Sequence, residues 1–139
     1  MEDLEKIRAE LNWYGKNGDI ASIEKLLKLQ DNLAIRSYFL ADQLGGIKTE
    51  YNHAYFSRKI EFNKAKAGFL NNKKMTLGAS EMEAILDVED IQRKEIELES
   101  LGYKLELLLR QVNRVIQATQ QRISFLKQEK ESTRKQNTT

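Results

Sequence analysis

Between residues 55 and 74 the chain interleaves cations with aromatic rings. Arg58, Lys59, Lys64, Lys66, Lys73 and Lys74 alternate with Tyr55, Phe56, Phe62 and Phe69. Lysine and arginine contact phosphate oxygens, and an exposed ring stacks on an unpaired base, so the combination suits a single-stranded polyanion. The rings have a competing use, because Tyr55, Phe62 and Phe69 also fall on the apolar stripe of a helix and would there be core. Phe56 lies off that stripe and is the better stacking candidate. Arg110, Arg114, Gln117 and Gln121 form a second polar row, equally readable as a solubilising outer face.

Other chemistry is poorly supplied. The chain has one histidine, His53, on an expected helix, and no cysteine. It has no nucleophile elbow, no phosphate-cradling Gly-rich loop and no metal-ligand spacing. Glu95, Glu97 and Glu99 do not form a shared carboxylate site, because Glu97 lies on the opposite side of the helix from the other two. The expectation is therefore a protein that is not an enzyme and uses no cofactor or metal. No apolar run is long enough to span a bilayer. The start, Met1-Glu2-Asp3-Leu4-Glu5, is acidic and lacks the apolar region of a secretory signal. With cysteine absent as well, the expected location is cytoplasmic, with no membrane partner.

Charge is patterned rather than merely abundant. Charged residues make up 32% of the 139, yet the net charge is only +2. Lys48 to Lys74 is a basic block, Glu81 to Glu106 is acidic, and the chain from Arg110 onward is basic again. Alternating blocks of sign fit docking between subunits or a polyanion groove, and equally a solvated helix surface.

The elements that must carry these residues are helical throughout. Proline is absent, so long helices have no obligatory breaker. Leu4, Ile7, Leu11 and Tyr14 mark a first helix over about Glu2 to Tyr14. Gly15 to Asp19 reads as a turn through left-handed backbone, followed by an N-cap at Asp19 or Ser22. A second helix carries Ile23, Leu26 and Leu27 and runs on past Leu33 toward Leu40. Gly45-Gly46 costs about 2 kcal/mol relative to alanine in a helix, which predicts a kink or short break. A stripe of Leu44, Ile47, Tyr51, Tyr55, Phe62, Ala65 and Phe69 resumes the pattern. Asn71 to Gly78 is an exposed basic turn, and Ser80-Glu81-Met82-Glu83 reads as a capping box opening the last helix.

That last helix has a heptad seam. Leu98, Leu101, Leu105, Leu108, Val112, Val115 and Leu126 recur at alternating steps of three and four, with Thr119 and Arg122 as polar members. Leu109, Ile116 and Ile123 add a second row, which widens the apolar face. Gly102 would let a neighbour approach closely, and the tail from Glu131 to Thr139 is expected to fray. The predicted fold class is all-α: one helical domain over 1–139, with N-terminal helices over 1–44 and a long coiled-coil-like hairpin over 47–130 turning near 70–80. The first arm is much the shorter. The surplus of the second calls for cover from the earlier helices or other copies of the chain, so the seam leucines and valines are the expected oligomerisation residues.

Several short motifs resemble those of the UvsY-type recombination mediators of T-even phages. They are Lys25-Leu26, Ser37-Tyr38-Phe39-Leu40, Ile47-Lys48-Thr49-Glu50, Lys64-Ala65-Lys66, Ser80-Glu81-Met82 and Arg122-Ile123, spread over Ser22 to Lys130. The resemblance implies a homo-oligomer, possibly a ring, that binds single-stranded DNA on a basic surface. It also implies contacts with a RecA-like recombinase and a single-strand-binding protein, in the host cytoplasm if phage-encoded. The family's basic motif carries over at Lys64 and Lys66. Where that family shows a Tyr-Tyr-Ser-Gly-like segment, this chain has Gly68-Phe69-Leu70-Asn71, with Lys73-Lys74 as an electrostatic substitute. A structural reading stands beside this one: a coiled-coil adaptor, scaffold or chaperone-like protein that binds no nucleic acid.

Overall fold

Two helices of nearly equal length dominate the fold. A computed structural model describes residues 2–137. Among these lie α1 (Glu2–Asn17), α2 (Ile23–Asn72), α3 (Leu77–Asp87) and α4 (Glu89–Asn137), and no strand. The protein is all-α, with α2 packed against α4. No described helix is long and apolar enough to cross a membrane.

The expected break at Gly45-Gly46 is absent, because α2 runs through both glycines for 50 residues. Leu40 and Leu44 are buried just before the pair and Ala54 after it, and helix continuity is what brings all three to the core side. Their burial outweighs the glycine penalty, since a buried leucine is stabilised by about 1.5–3 kcal/mol. The presumed short helix and short arm are thus one helix, and α4 has 49 residues. The surplus that called for outside cover does not exist. Nothing lies within 4 Å of a Cβ added at Gly45 or Gly46. Gly45→Ala with Gly46→Ala is therefore expected to stabilise the protein by about 1–2 kcal/mol, read as a higher denaturation midpoint. An unchanged or lowered midpoint would mean that the helix opens here in solution.

The other boundaries shift for local reasons. Helix α1 continues to Asn17, and its turn follows at 18–20. No described glycine has positive φ. Gly18 is needed for space instead, because a Cβ there would lie 2.7 Å from the Tyr14 ring. Ser22 caps α2, its hydroxyl accepting from the Lys25 amide at 3.4 Å. The capping box at Ser80 does not form. Thr76 is the N-cap of α3 and accepts from the Ala79 amide. Ser80 is fully buried within α3 and donates to the Leu77 carbonyl at 2.8 Å. The last arm is not continuous either. Val88 turns into the core and ends α3, and its carbonyl accepts the Gln92 amide to start α4. Glu89 and Asp90 fill the first turn of α4, where carboxylates favour a helix N-terminus. The tail is helical and exposed as far as Asn137, and Thr138 and Thr139 lie outside the described residues.

The chain divides into two compact units, and both long helices pass through the division. Unit 1 comprises Met1–Asp42 with Glu106–Thr139, and unit 2 comprises Gln43–Leu105. In unit 1, Ala21, Leu26 and Ile123 form a cluster closed by Trp13, Tyr14, Ile23 and Leu126. Arg122 donates to the Asp19 carbonyl at 2.7 Å, so this polar seam residue ties α4 to the α1–α2 turn. Thr119 is fully buried and donates to the Ile116 carbonyl of its own helix. Glu10 of α1 accepts from Arg36 of α2 at 2.8 Å. In unit 2, Gly102 is buried where α2 passes, and an added Cβ would lie 3.7 Å from Ile47 and 4.0 Å from Leu44.

Candidate nucleic-acid interface

Helix periodicity sorts the six predicted basic residues into three groups. Residues seven apart share a face of an α-helix, so Lys59 and Lys66 form a row about 10 Å apart along α2. Lys73 continues the spacing one residue past the helix end. Each has a ring four residues before it: Tyr55, Phe62 and Phe69. The Lys59 ammonium lies 4.4 Å from the Tyr55 ring centre, and that of Lys73 lies 5.1 Å from the Phe69 ring centre. All three rings are half-buried, which resolves the choice between core and stacking surface. Part of each ring stays accessible, and those of Tyr55 and Phe69 lie beside a cation. Tyr55 also meets Tyr51 in a stacked pair and Phe56 edge-on.

The turn after α2 adds a fourth cation. Lys74 is the only described non-glycine residue with positive φ, at 50°. Glycine or asparagine takes this left-handed position more readily, and lysine bears a cost of about 1–2 kcal/mol. Met75 then donates to the Phe69 carbonyl at 3.3 Å, which satisfies one of the orphan groups at the helix end.

The remaining two candidates point elsewhere. Arg58 faces α4 and grips the Glu95 carboxylate with two hydrogen bonds, Nε at 2.5 Å and Nη2 at 3.3 Å. This pairing raises the Arg58 pKa further above its ordinary value. Glu95 is buried, so the pair serves packing in unit 2. Desolvation and the carboxylates of Glu99 and Glu95 also push the neighbouring Tyr51 phenol up. Lys64 is exposed, pairs with Glu61 at 3.8 Å and lies off the Lys59–Lys66 row. Lys66 itself reaches Glu81 of α3 at 3.3 Å, a half-exposed pair of the kind that is worth little in water and can yield to phosphate.

The expected oligomerisation residues have a different fate. Leu98, Leu105, Leu108 and Val112 are buried within the chain itself. Val115 and Leu126 are half-buried, and Leu101 is 41% exposed. The second row supplies the rest of the inner face: Ile123 is buried and Leu109 and Ile116 are half-buried. Steps of three and four do not say which flank of a wide stripe turns inward, so Leu101 was indistinguishable from Leu105 by spacing.

No protein-family model, curated protein or solved structure matches this chain. The site must therefore be read from its own geometry. Arg110, Arg114, Gln117 and Gln121 are exposed on α4, and exposed Phe125 continues their row four residues past Gln121, as Tyr103 does seven residues before Arg110. His53 is exposed and lines a shallow depression with Thr49, Asn52, Phe56, Ser57 and Ile60. Among the described residues no group of His, Asp or Glu is arranged to hold a metal ion. The signal that would have separated Lys66 from Lys64 in advance is the period of seven shared by the lysines and their rings.

Proposed function

We propose that the chain binds single-stranded DNA along Lys59, Lys66, Lys73 and Lys74. It does so as a homo-oligomer, and acts as a recombination mediator that places a RecA-like recombinase on the strand in place of single-strand-binding protein. The two ring–lysine pairs, Tyr55–Lys59 and Phe69–Lys73, carry the reading. Each pair offers one ammonium for a phosphate and one ring face for an unstacked base. A duplex keeps its base faces covered, so the rings add to single-strand affinity alone. The cation held at an unfavourable φ in the turn extends the row at a position where helix-end geometry by itself calls for glycine. A few contacts per copy are weak, and several copies on one strand multiply them. A strand held this way is loosened from a competitor and presented for loading, and no bond is made or broken.

The competing reading is a coiled-coil adaptor or scaffold without nucleic acid, favoured by the exposed apolar residues of unit 2. Fluorescence anisotropy with single-stranded and duplex oligonucleotides over a salt series separates the two. Four phosphate contacts per copy predict a slope of about −3 in log affinity against log salt on single strands. Binding that is absent at low salt, or equal on duplex, would leave the adaptor as the better account.

A further inference from the structure

On the outer side of α2 in unit 2, six residues line a depression of about 400 Å³: Thr49, Asn52, His53, Phe56, Ser57 and Ile60. Phe56 is 60% exposed within it. Asn52 and His53 stand four and three residues before Phe56, and Ile60 four after it, so all three are its neighbours on the helix surface. The Thr49 hydroxyl is engaged, donating to the Gly45 carbonyl at 3.0 Å. Asn52, His53 and Ser57 make no hydrogen bond or ion pair to any described residue.

The lining narrows what the depression can hold. Four of its six residues are polar, and none carries a carboxylate, guanidinium or ammonium group. A docked helix is gripped by apolar anchors spread over two turns or more, and here only Phe56 and Ile60 are apolar. A flat, neutral ligand with donors and acceptors around its rim fits better, and a nucleobase has that form.

The depression also borders the row of cations. Phe56 meets Tyr55 edge-on with ring centres 5.5 Å apart, and the Lys59 ammonium lies 4.4 Å from the same Tyr55 centre. The ammonium and the Phe56 ring are therefore no farther apart than one nucleotide spans from its phosphate to the rim of its base.

We infer that this depression takes one unstacked nucleobase of a strand whose phosphate is held at Lys59. The Phe56 ring stacks on the base, and the Asn52 amide and the His53 imidazole hydrogen-bond its rim. The rings of Tyr55 and Phe69 offer a face alone, whereas here the base is also held by its edge. The base site rests on the strand following the Lys59 row, as proposed above, and adds a contact that phosphate cannot supply.

Anisotropy titrations with two strands of equal length test it, one bearing ordinary bases and one made wholly of abasic sites. Wild type is expected to prefer the strand with bases. Phe56→Ala is expected to lose at least about fivefold on that strand, the low end for one stacked base, and to stay within about twofold of wild type on the abasic strand. Asn52→Ala with His53→Ala is expected to show the same pattern, with a loss of at least about threefold. Neither variant removes a phosphate contact, so the salt slope should not change. All three positions are exposed, so far-ultraviolet circular dichroism should match wild type. If Phe56→Ala loses helix, Phe56→Leu takes its place, retaining apolar bulk without a ring. A wild type indifferent to the bases, or a Phe56 variant unchanged on both strands or weakened equally on both, would overturn the base site and leave the Lys59 row standing. An Asn52 and His53 variant with full affinity for the strand with bases would overturn the edge contacts. Wild type that binds neither strand would overturn the row and the base site together.

Discussion

Lys59→Glu, Lys73→Glu and Lys74→Glu together are expected to lower affinity for single-stranded DNA by about 100- to 1,000-fold. Each lost lysine removes a charge-assisted contact of about 1 kcal/mol at an exposed site, and each new carboxylate repels the strand. The salt slope should flatten by about 2, since each phosphate contact on a single strand contributes about 0.7. Lys66 is left intact because it also pairs with Glu81, so the loss reads only strand-facing cations without that ion pair. The matched control is Arg110→Glu with Arg114→Glu, on the competing basic row of unit 1. Its affinity is expected to stay within about threefold of wild type. The reverse pattern, with the control losing binding and the triple variant keeping it, would move the interface to α4. Anisotropy titrations on one labelled oligonucleotide read both variants.

Arg58→Ala is expected to destabilise the fold by about 2–3 kcal/mol, while the folded protein binds single strands within about threefold of wild type. Removing one partner of a buried ion pair leaves the other buried and uncompensated, at a cost of about 3–5 kcal/mol. The lower figure applies because Arg58 keeps 27% of its side chain exposed, against 10% for Glu95. Arg58→Leu with Glu95→Leu should recover most of the loss, since an apolar pair of similar volume is often as stable as the ion pair it replaces. Urea denaturation followed by circular dichroism measures both variants against wild type. A destabilisation below about 0.5 kcal/mol for Arg58→Ala would reduce the pair to an ordinary surface contact. A large loss of DNA affinity in the still-folded single variant would return Arg58 to the interface.

Much of the fold is legible in residue types alone. Absence of proline, apolar residues at three and four, and Ser22 before an apolar run specify helices and the start of α2. The heptad of α4 marks its inner stripe, and Leu98, Leu105 and Val112 are buried as that pattern requires. Boundaries are less legible, because they are decided by competition. Ser80 has the sequence of a cap and sits in the core, since a helix begun earlier at Thr76 buries Ser80, Ala84 and Val88 together. Gly45-Gly46 has the sequence of a break, yet continuity buries Leu40, Leu44 and Ala54 on one side.

By itself the sequence determined that this protein is helical, that its last helix carries a wide apolar stripe, and that cations and rings are concentrated before the α2–α3 turn. These follow from local terms: side-chain size, backbone freedom and the period of the helix. Only the tertiary structure decided what each cation faces. Arg58 and Lys59 are neighbours in sequence, but one points at Glu95 of α4 and the other lies over Tyr55. A step of 100° around the helix separates burial in an ion pair from exposure beside a ring. Which side of α2 meets α4 depends on contacts between residues far apart in the chain, and helical spacing within either segment does not contain that choice.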